Sequence, residues 1–104
     1  NGHILGGGVL ARMDIAGGTL AGREARGAFA TVAIETMEFI APILLRDIIS
    51  IYAHIERRGR TSMAIRIEVI ATRDGGRTEE RVTEGVFTFV ALDENHRPRA
   101  LPPG

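Results

Sequence analysis

The sequence contains no cysteine. Disulfides, thiolate metal sites and cysteine nucleophiles are therefore excluded from its chemistry. It contains no lysine either, because all 13 basic residues are arginine. Neither a Schiff-base lysine nor a phosphate-loop lysine can come from this chain. Charge of one sign is also missing: 13 acidic residues balance the 13 basic ones, for a formal net charge of zero. A general binder of nucleic acid or of anionic membrane carries a positive excess. Neither is an expected partner, and any anion site must be local. The three histidines, His3, His54 and His96, lie far apart and lack metal-ligand spacing, so no metal site is expected. The longest apolar run falls far short of the roughly 18 residues needed to cross a membrane. No secretory signal is visible, and a cytoplasmic protein is the expectation. Proline is confined to Pro42, Pro98, Pro102 and Pro103, which leaves the middle of the chain unbroken.

What is present suits one domain. A chain of 104 residues, 44% hydrophobic and 25% charged, can bury a single core without staples. Residues 7 to about 26 read as one helix, with Val9, Met13, Ala16 and Leu20 on one face and Arg12, Arg23 and Arg26 on the far side. Gly27 is placed to stop it. The remainder reads as strands: Phe29 to Phe39, ended by Pro42; Asp47 to Arg57; Ser62 to Thr72; and Glu80 to Leu92. Asp74-Gly75-Gly76 is a hairpin turn signal. One helix followed by four strands with hairpin connections predicts an α+β protein, an antiparallel sheet packed on a helix. The last strand is apolar on both faces from Val86 to Leu92, which predicts a partner subunit over the second face or at the edge.

Asp14 is the informative residue. Its neighbours on the helical wheel are Leu10, Gly17, Gly18 and Ala21, while the basic residues lie about 120–180° away. It should therefore face apolar or small groups rather than open water. Burial raises a carboxylate's pKa and suits it to base chemistry. The plain alternative is a structural aspartate bonded to a neighbouring strand or subunit. Gly6, Gly7 and Gly8 sit at the helix start with no evident capping side chain. Free N–H groups there attract negative charge and could hold an oxyanion. A flexible turn is the plain alternative. Gly6 and Asp14 are eight residues apart, about 12 Å along a helix. The two could grip one carbonyl only across a dimer interface. Gly17 and Gly18 cost about 1 kcal/mol each in a helix interior, so something must approach them closely. A packed neighbour is preferred to a ligand.

Between two strands lies Arg57-Arg58-Gly59-Arg60-Thr61-Ser62, which reads as a phosphate site or as a solvated basic turn. Arg97-Pro98-Arg99 forms a second basic cluster. Two local clusters on a neutral chain fit a compact polyphosphate better than a nucleic-acid backbone. His54 is expected to be exposed.

These residues, taken in order, resemble the bacterial YciA-type acyl-CoA thioesterases. The likeness runs through Asn1-Gly2-His3-Ile4-Leu5-Gly6-Gly7, Met13-Asp14, Thr31-Val32-Ala33-Ile34 and Met37-Glu38-Phe39-Ile40-Ala41-Pro42. It continues through Gly59-Arg60-Thr61-Ser62, the run from Val82 to Ala91, Arg97-Pro98-Arg99 and Pro102. The resemblance implies a hot-dog fold, with a long helix wrapped by an antiparallel sheet that continues across a homodimer, and further assembly into a trimer of dimers. It implies hydrolysis of acyl-CoA, with Asp14 activating water or attacking the thioester. Gly6 and Gly7 of the opposite subunit would polarise the carbonyl. Gly59, Arg60, Thr61 and Ser62, with Arg97 and Arg99, would contact the CoA moiety. No cofactor is implied, since CoA belongs to the substrate.

The family usually has a strand and an Asp-Thr-Asn stretch before the Gly motif. The 104 residues begin after both, so a first edge strand is expected to be missing from the domain. Leu5 and Gly8 stand where bulky aromatics are usual, which should reshape the acyl pocket. Glu38 replaces a polar amide. Two other readings remain open: a non-catalytic hot-dog module that binds acyl-CoA or a nucleotide, and a dehydratase that would depend on His3.

Overall fold

A computed structural model of the protein describes residues 5–103. Asn1 to Ile4, His3 among them, lie outside the described residues. Helix α1 (Leu5–Ala25) is followed by strands β1 (Phe29–Phe39), β2 (Ile48–Arg58), β3 (Ser62–Arg73) and β4 (Thr78–Ala91). The helix stops because Arg26 adopts a left-handed conformation, φ 55°, with its N–H bonded to the Gly22 carbonyl at 2.9 Å. The expected stop at Gly27 is thus one residue late, and a non-glycine residue takes the left-handed position. Among the described residues, no helix is long and apolar enough to cross a membrane.

The four strands form one antiparallel sheet in the order β1-β4-β3-β2. Two of the expected hairpins are present. The β3–β4 hairpin turns through a short 3₁₀ segment at Asp74–Gly76. The β1–β2 connection differs from the expected hairpin. β1 pairs with β4, so residues 40–47 cross the end of the sheet from one edge to the other. That crossing is fastened along its length. The N–H groups of Ile40 and Ala41 bond to the Val82 carbonyl, and Asp47 pairs with Arg73 at 2.8 Å. Arg73 also donates to the Pro42 carbonyl at 2.7 Å. The Asp47 carboxyl is held below its usual range, mainly by the hydrogen bonds from Arg73.

The core lies between α1 and one sheet face. It contains Met63, Ile65, Ile67 and Val69 of β3, Phe87 and Phe89 of β4, and Val9 and Met13 of α1. Each such side chain contributes about 1.5–3 kcal/mol by burial. The helix face differs slightly from the expected one. Val9 and Met13 are buried, but Ala16 and Leu20 are only half-buried. The buried row instead continues through Gly17, Ala21 and Ala25, every fourth residue. Small side chains let the backbone settle closer to the sheet than Leu20 would allow. A Cβ on Gly17 would lie 2.8 Å from Ile67 Cδ1 and 2.9 Å from Phe89 Cζ, and one on Gly18 would lie 3.2 Å from the Phe29 ring. The interior glycines therefore serve a helix–sheet contact.

The opposite sheet face carries charges. Arg57 pairs with Glu35, Arg66 with Glu56 and Glu84, and Arg81 with Glu68, at 2.7–3.0 Å. Val86 is on this side, in register with Arg66, and is buried within the single chain. Arginine stems cover apolar surface while their heads stay wet. A partner subunit over this face is therefore not needed to bury Val86.

Candidate active site

The helix rotation that buries Gly17 and Ala21 leaves Asp14 on the margin of the packed face, towards β1. Asp14 is exposed in the single chain, not enclosed as the helical wheel implied. Its neighbours are nevertheless largely apolar. It opens into a cleft of about 360 Å³ lined by Leu10, Ala11, Asp14, Thr31, Ile34 and Phe87. Thr31 Oγ1 donates a hydrogen bond of 2.8 Å to Asp14 Oδ1. Oδ2 has no hydrogen-bond partner among the described residues, so one carboxylate oxygen is oriented and the other is available.

Thr31 and Ile34 share the cleft although they are three residues apart on a strand, where alternation would send them to opposite faces. The register explains this. β1 is irregular between Thr31 and Ala33 and again between Ile34 and Thr36, so Thr31 opposes Phe89 and Ile34 opposes Phe87. Each bulge resets which face the next residue meets. Glu35, next after Ile34 and at the second bulge, points to the far face. There Arg57 Nη2 donates to both carboxylate oxygens, at 2.7 and 2.8 Å, and the Thr88 hydroxyl donates at 2.5 Å. The Thr88 hydroxyl, with Arg57 second, holds the Glu35 carboxyl below its ordinary range. The second bulge, just after Ile34, is thus fastened from behind.

Gly6 and Gly7 fall in the first turn of α1. The basic segments lie elsewhere. The turn after β2 is closed by Gly59 N–H bonding to the Ser62 carbonyl at 2.8 Å. The C-terminal stretch is fastened beside it: Ala91 N–H bonds to the Thr61 carbonyl and Leu101 N–H to the Arg60 carbonyl. Two segments 40 residues apart are therefore brought to one end of the sheet. Arg60 and Arg97 are exposed there. Arg99 is engaged: Nε donates to the Leu92 carbonyl and Nη2 to the Ala25 carbonyl, at 2.7 and 2.8 Å, which closes the helix C-terminus. Thr31, Phe89, Met63 and Arg58 are in register across the four strands. Three strand spacings put the turn about 14 Å from Thr31. One chain does not place the basic turn against its own Asp14. His54 is exposed, as expected.

Residues 1–77 match the family model described as the thioesterase superfamily. The chain belongs to the thioesterase superfamily. An uncharacterized acyl-CoA thioester hydrolase of Haemophilus influenzae is 43% identical over 98% of this thioesterase chain and 68% of its own. The acyl-CoA thioester hydrolase YciA of Escherichia coli K12 is 40% identical over 98% of this chain and 80% of its own. Among solved structures, the hexameric thioesterase y2039 of Yersinia pestis superposes with a TM-score of 0.88 at 38% identity, covering 95% of this chain and 80% of that one. HI0827, a hexameric broad specificity acyl-coenzyme A thioesterase, gives 0.84 at 39% identity, covering 94% and 68%. The helix-on-sheet architecture of this thioesterase is therefore the hot-dog fold.

Thr31 was not singled out as a site residue from the sequence. A threonine in a β-branched strand is the commonest kind of strand residue, and its separation of 17 residues from Asp14 has no local period. The signal that could have found it is the bulge, which no spacing rule reveals.

Proposed function

We propose that this thioesterase hydrolyses acyl-CoA to free CoA and a carboxylic acid, with Asp14 as the catalytic carboxylate and Thr31 as its positioning residue. The observation that carries the reading is the Asp14–Thr31 hydrogen bond at the polar end of an otherwise apolar cleft. Such a cleft can take an acyl chain and set a thioester carbonyl beside a carboxylate. Water's oxygen bonds to the carbonyl carbon and the carbon–sulfur bond breaks. Asp14 takes the water's proton, which returns to the departing sulfur. In the other form of the reaction Asp14 attacks first, and water then cleaves the mixed anhydride. No cofactor enters either route.

The carbonyl oxygen needs donors, and Gly6 lies about 12 Å from Asp14 along α1. Gly6 and Gly7 of a second copy are the proposed donors. Support comes from β1, an edge strand of 11 residues whose outer side is unpaired among the described residues. It exposes Val32 at 55% and Ile34 at 46%. A long apolar edge invites another strand. A homodimer with its two sheets joined along β1 would cover that edge and close the open side of the cleft, and three dimers would give a hexamer. Gly59, Arg60, Thr61 and Ser62, with Arg97, are the proposed contacts for the CoA phosphates. Arg99 contributes to that site by fixing the tail. A cytoplasmic location belongs to the same proposal.

The test is thiol release from acyl-CoAs of two to sixteen carbons, with wild type and Asp14→Ala compared at equal folded concentration. Turnover lost in the variant supports the reading. Turnover retained removes Asp14 from the mechanism. Tight acyl-CoA binding by a folded wild-type dimer that turns over nothing would favour a non-catalytic binding module.

A further inference from the structure

The backbone of β1 faces outward in a fixed rhythm. At one end of the strand Leu92 N–H bonds to the Ala28 carbonyl, and at the other Ile40 N–H bonds to the Val82 carbonyl. Antiparallel partners alternate between pairs that exchange hydrogen bonds and pairs that do not. Counted from either anchor, the even-numbered residues of β4 turn their backbone groups to β1, where their partners are Ala30, Ala33, Thr36 and Glu38. The odd-numbered ones turn to β3, as Ala91 N–H does in bonding to the Thr61 carbonyl. Phe29, Thr31, Ile34, Met37 and Phe39 oppose those odd residues, so their N–H and C=O groups point to the outer edge. No strand takes these groups among the described residues.

The two bulges set the spacing of this row. One residue separates Phe29 from Thr31 and Met37 from Phe39, but two separate Thr31 from Ile34 and Ile34 from Met37. The row therefore reads the same in both directions about Ile34. An antiparallel copy of β1 meets all five outward residues in one register only, with Ile34 against Ile34. Every other antiparallel register sets at most two of the five against members of the row. Such self-complementarity is what a two-fold interface requires. The same register sets Glu35 against Ala33 and Glu38 against Ala30, so neither acid faces another.

We propose that two copies of β1 pair antiparallel about a two-fold axis at Ile34, and that each active site is completed by Ile34 and Met37 of the partner subunit. The inference rests on the homodimer of the thioesterase reading and fixes its register. Ile34, a wall of the cleft, continues into Ile34 of the partner subunit. Thr31 stands opposite Met37 of the partner subunit, on the same sheet face and about 5 Å apart at Cβ. Phe39, 61% exposed in the single chain, meets Phe29 of the partner subunit. The helix supports the same axis. Gly18 faces the Phe29 ring, Asp14 bonds to Thr31, and Leu10 and Ala11 share the cleft with Ile34. Helix α1 thus runs antiparallel to β1, and its start lies towards the Met37 end. An axis at Ile34 brings that end of the second copy, and the start of its helix, towards Thr31 and Asp14.

The chain has no cysteine, so introduced thiols report the register without background. Opposed residues of such a pair have Cα atoms about 5.5 Å apart, within disulfide reach. Ile34→Cys should therefore form a disulfide-linked dimer on mild oxidation. Thr31→Cys co-expressed with Met37→Cys should form a mixed disulfide, and this pair carries the test if Ile34→Cys does not fold. Neither Thr31→Cys nor Met37→Cys should link alone. Their β4 partners, Phe89 and Gly85, are four residues apart, about 13 Å and beyond the reach of about 7 Å. Linked dimer from Ile34→Cys and from the mixture should exceed that from either single control at least about tenfold. A folded Ile34→Cys that stays unlinked overturns the axis, and an unlinked mixture overturns the contribution of Met37. Equal linkage in a single control also overturns the register. Linkage does not depend on turnover. Linkage as expected without acyl-CoA hydrolysis by the wild type leaves the register standing and overturns the thioesterase reading. Hydrolysis that requires Asp14 in a protein that does not link does the reverse.

Discussion

Removing the Thr31 hydroxyl tests whether Asp14 works because it is held. Thr31→Val keeps the branched shape and the strand preference but deletes the donor 2.8 Å from Asp14 Oδ1. A hydrogen bond to a charged group is worth about 1.5–3 kcal/mol. Thr31 is exposed in the single chain, where water competes for Asp14, so the lower end applies. At 1.36 kcal/mol per tenfold, kcat should fall about tenfold. KM should change little, because the hydroxyl acts on the carboxylate rather than on the substrate. Thr31→Ser restores the donor and should recover most of the rate. Steady-state kinetics on a medium-chain acyl-CoA, with thermal unfolding to verify the fold, decide the matter. A valine variant within twofold of wild type, or a serine variant no better than valine, refutes a positioning role for Thr31.

Four stability measurements probe the frame around the site. Gly17→Ala forces a Cβ to within 2.8 Å of Ile67 Cδ1; crowding of about 1–3 kcal/mol should outweigh the helix preference of about 1 kcal/mol, and urea unfolding should show a net loss. Gly8→Ala meets nothing within 4 Å among the described residues, so the same assay should show a gain of up to about 1 kcal/mol. The Thr83 hydroxyl is buried without a hydrogen-bond partner among the described residues; Thr83→Val should therefore stabilise by about 1 kcal/mol, and a loss of melting temperature would mean that the hydroxyl is satisfied. Glu35 and Asp47 both have lowered pKa values, from the Thr88 hydroxyl and from Arg73 respectively. A lowered carboxylate stabilises above the ordinary carboxylate range and loses that contribution as pH falls through its folded value. Melting temperature should therefore drop in acid below that range, and less steeply for Asp47→Asn; equal acid slopes would remove Asp47 from this account.

The elements were legible in the sequence because their periods are strong. β2 and β3 alternate cleanly, and the helix stripe begins at Val9 and Met13. Topology was harder. A strand ending near Pro42 followed by another near Asp47 looks like a hairpin, yet the crossing is specified by Arg73, more than 25 residues away, through Asp47 and the Pro42 carbonyl. On the outer face Val86 is buried within the single chain, in register with Arg66, while Val90 stays half-buried between Ser62 and Ala30. Asp14 was visible as a carboxylate among small residues. Its exposure was not, because a helical wheel gives neighbours within the helix and omits the open side between helix and edge strand.

That open side is where sheet construction and chemistry meet. β1 must do two things that ordinarily conflict: pair with β4 along its length and present Thr31 and Ile34 to the same cleft. A regular strand cannot do both, since its side chains alternate. The bulge between Thr31 and Ala33 resolves the conflict, at the cost of a less regular ladder. The Glu35 clamp to Thr88 and Arg57 anchors the second bulge from the far face. Breaking that clamp should therefore reach the active site although Glu35 touches no substrate. In Glu35→Gln the bidentate charge pair with Arg57 is lost while the side-chain size is kept. Ile34 should then sit less firmly against Phe87, and KM for acyl-CoA should rise several-fold with kcat less affected. An unchanged KM would show that the backbone of β1 holds its bulges without the clamp, and that the ion pairs of the outer face serve the sheet alone.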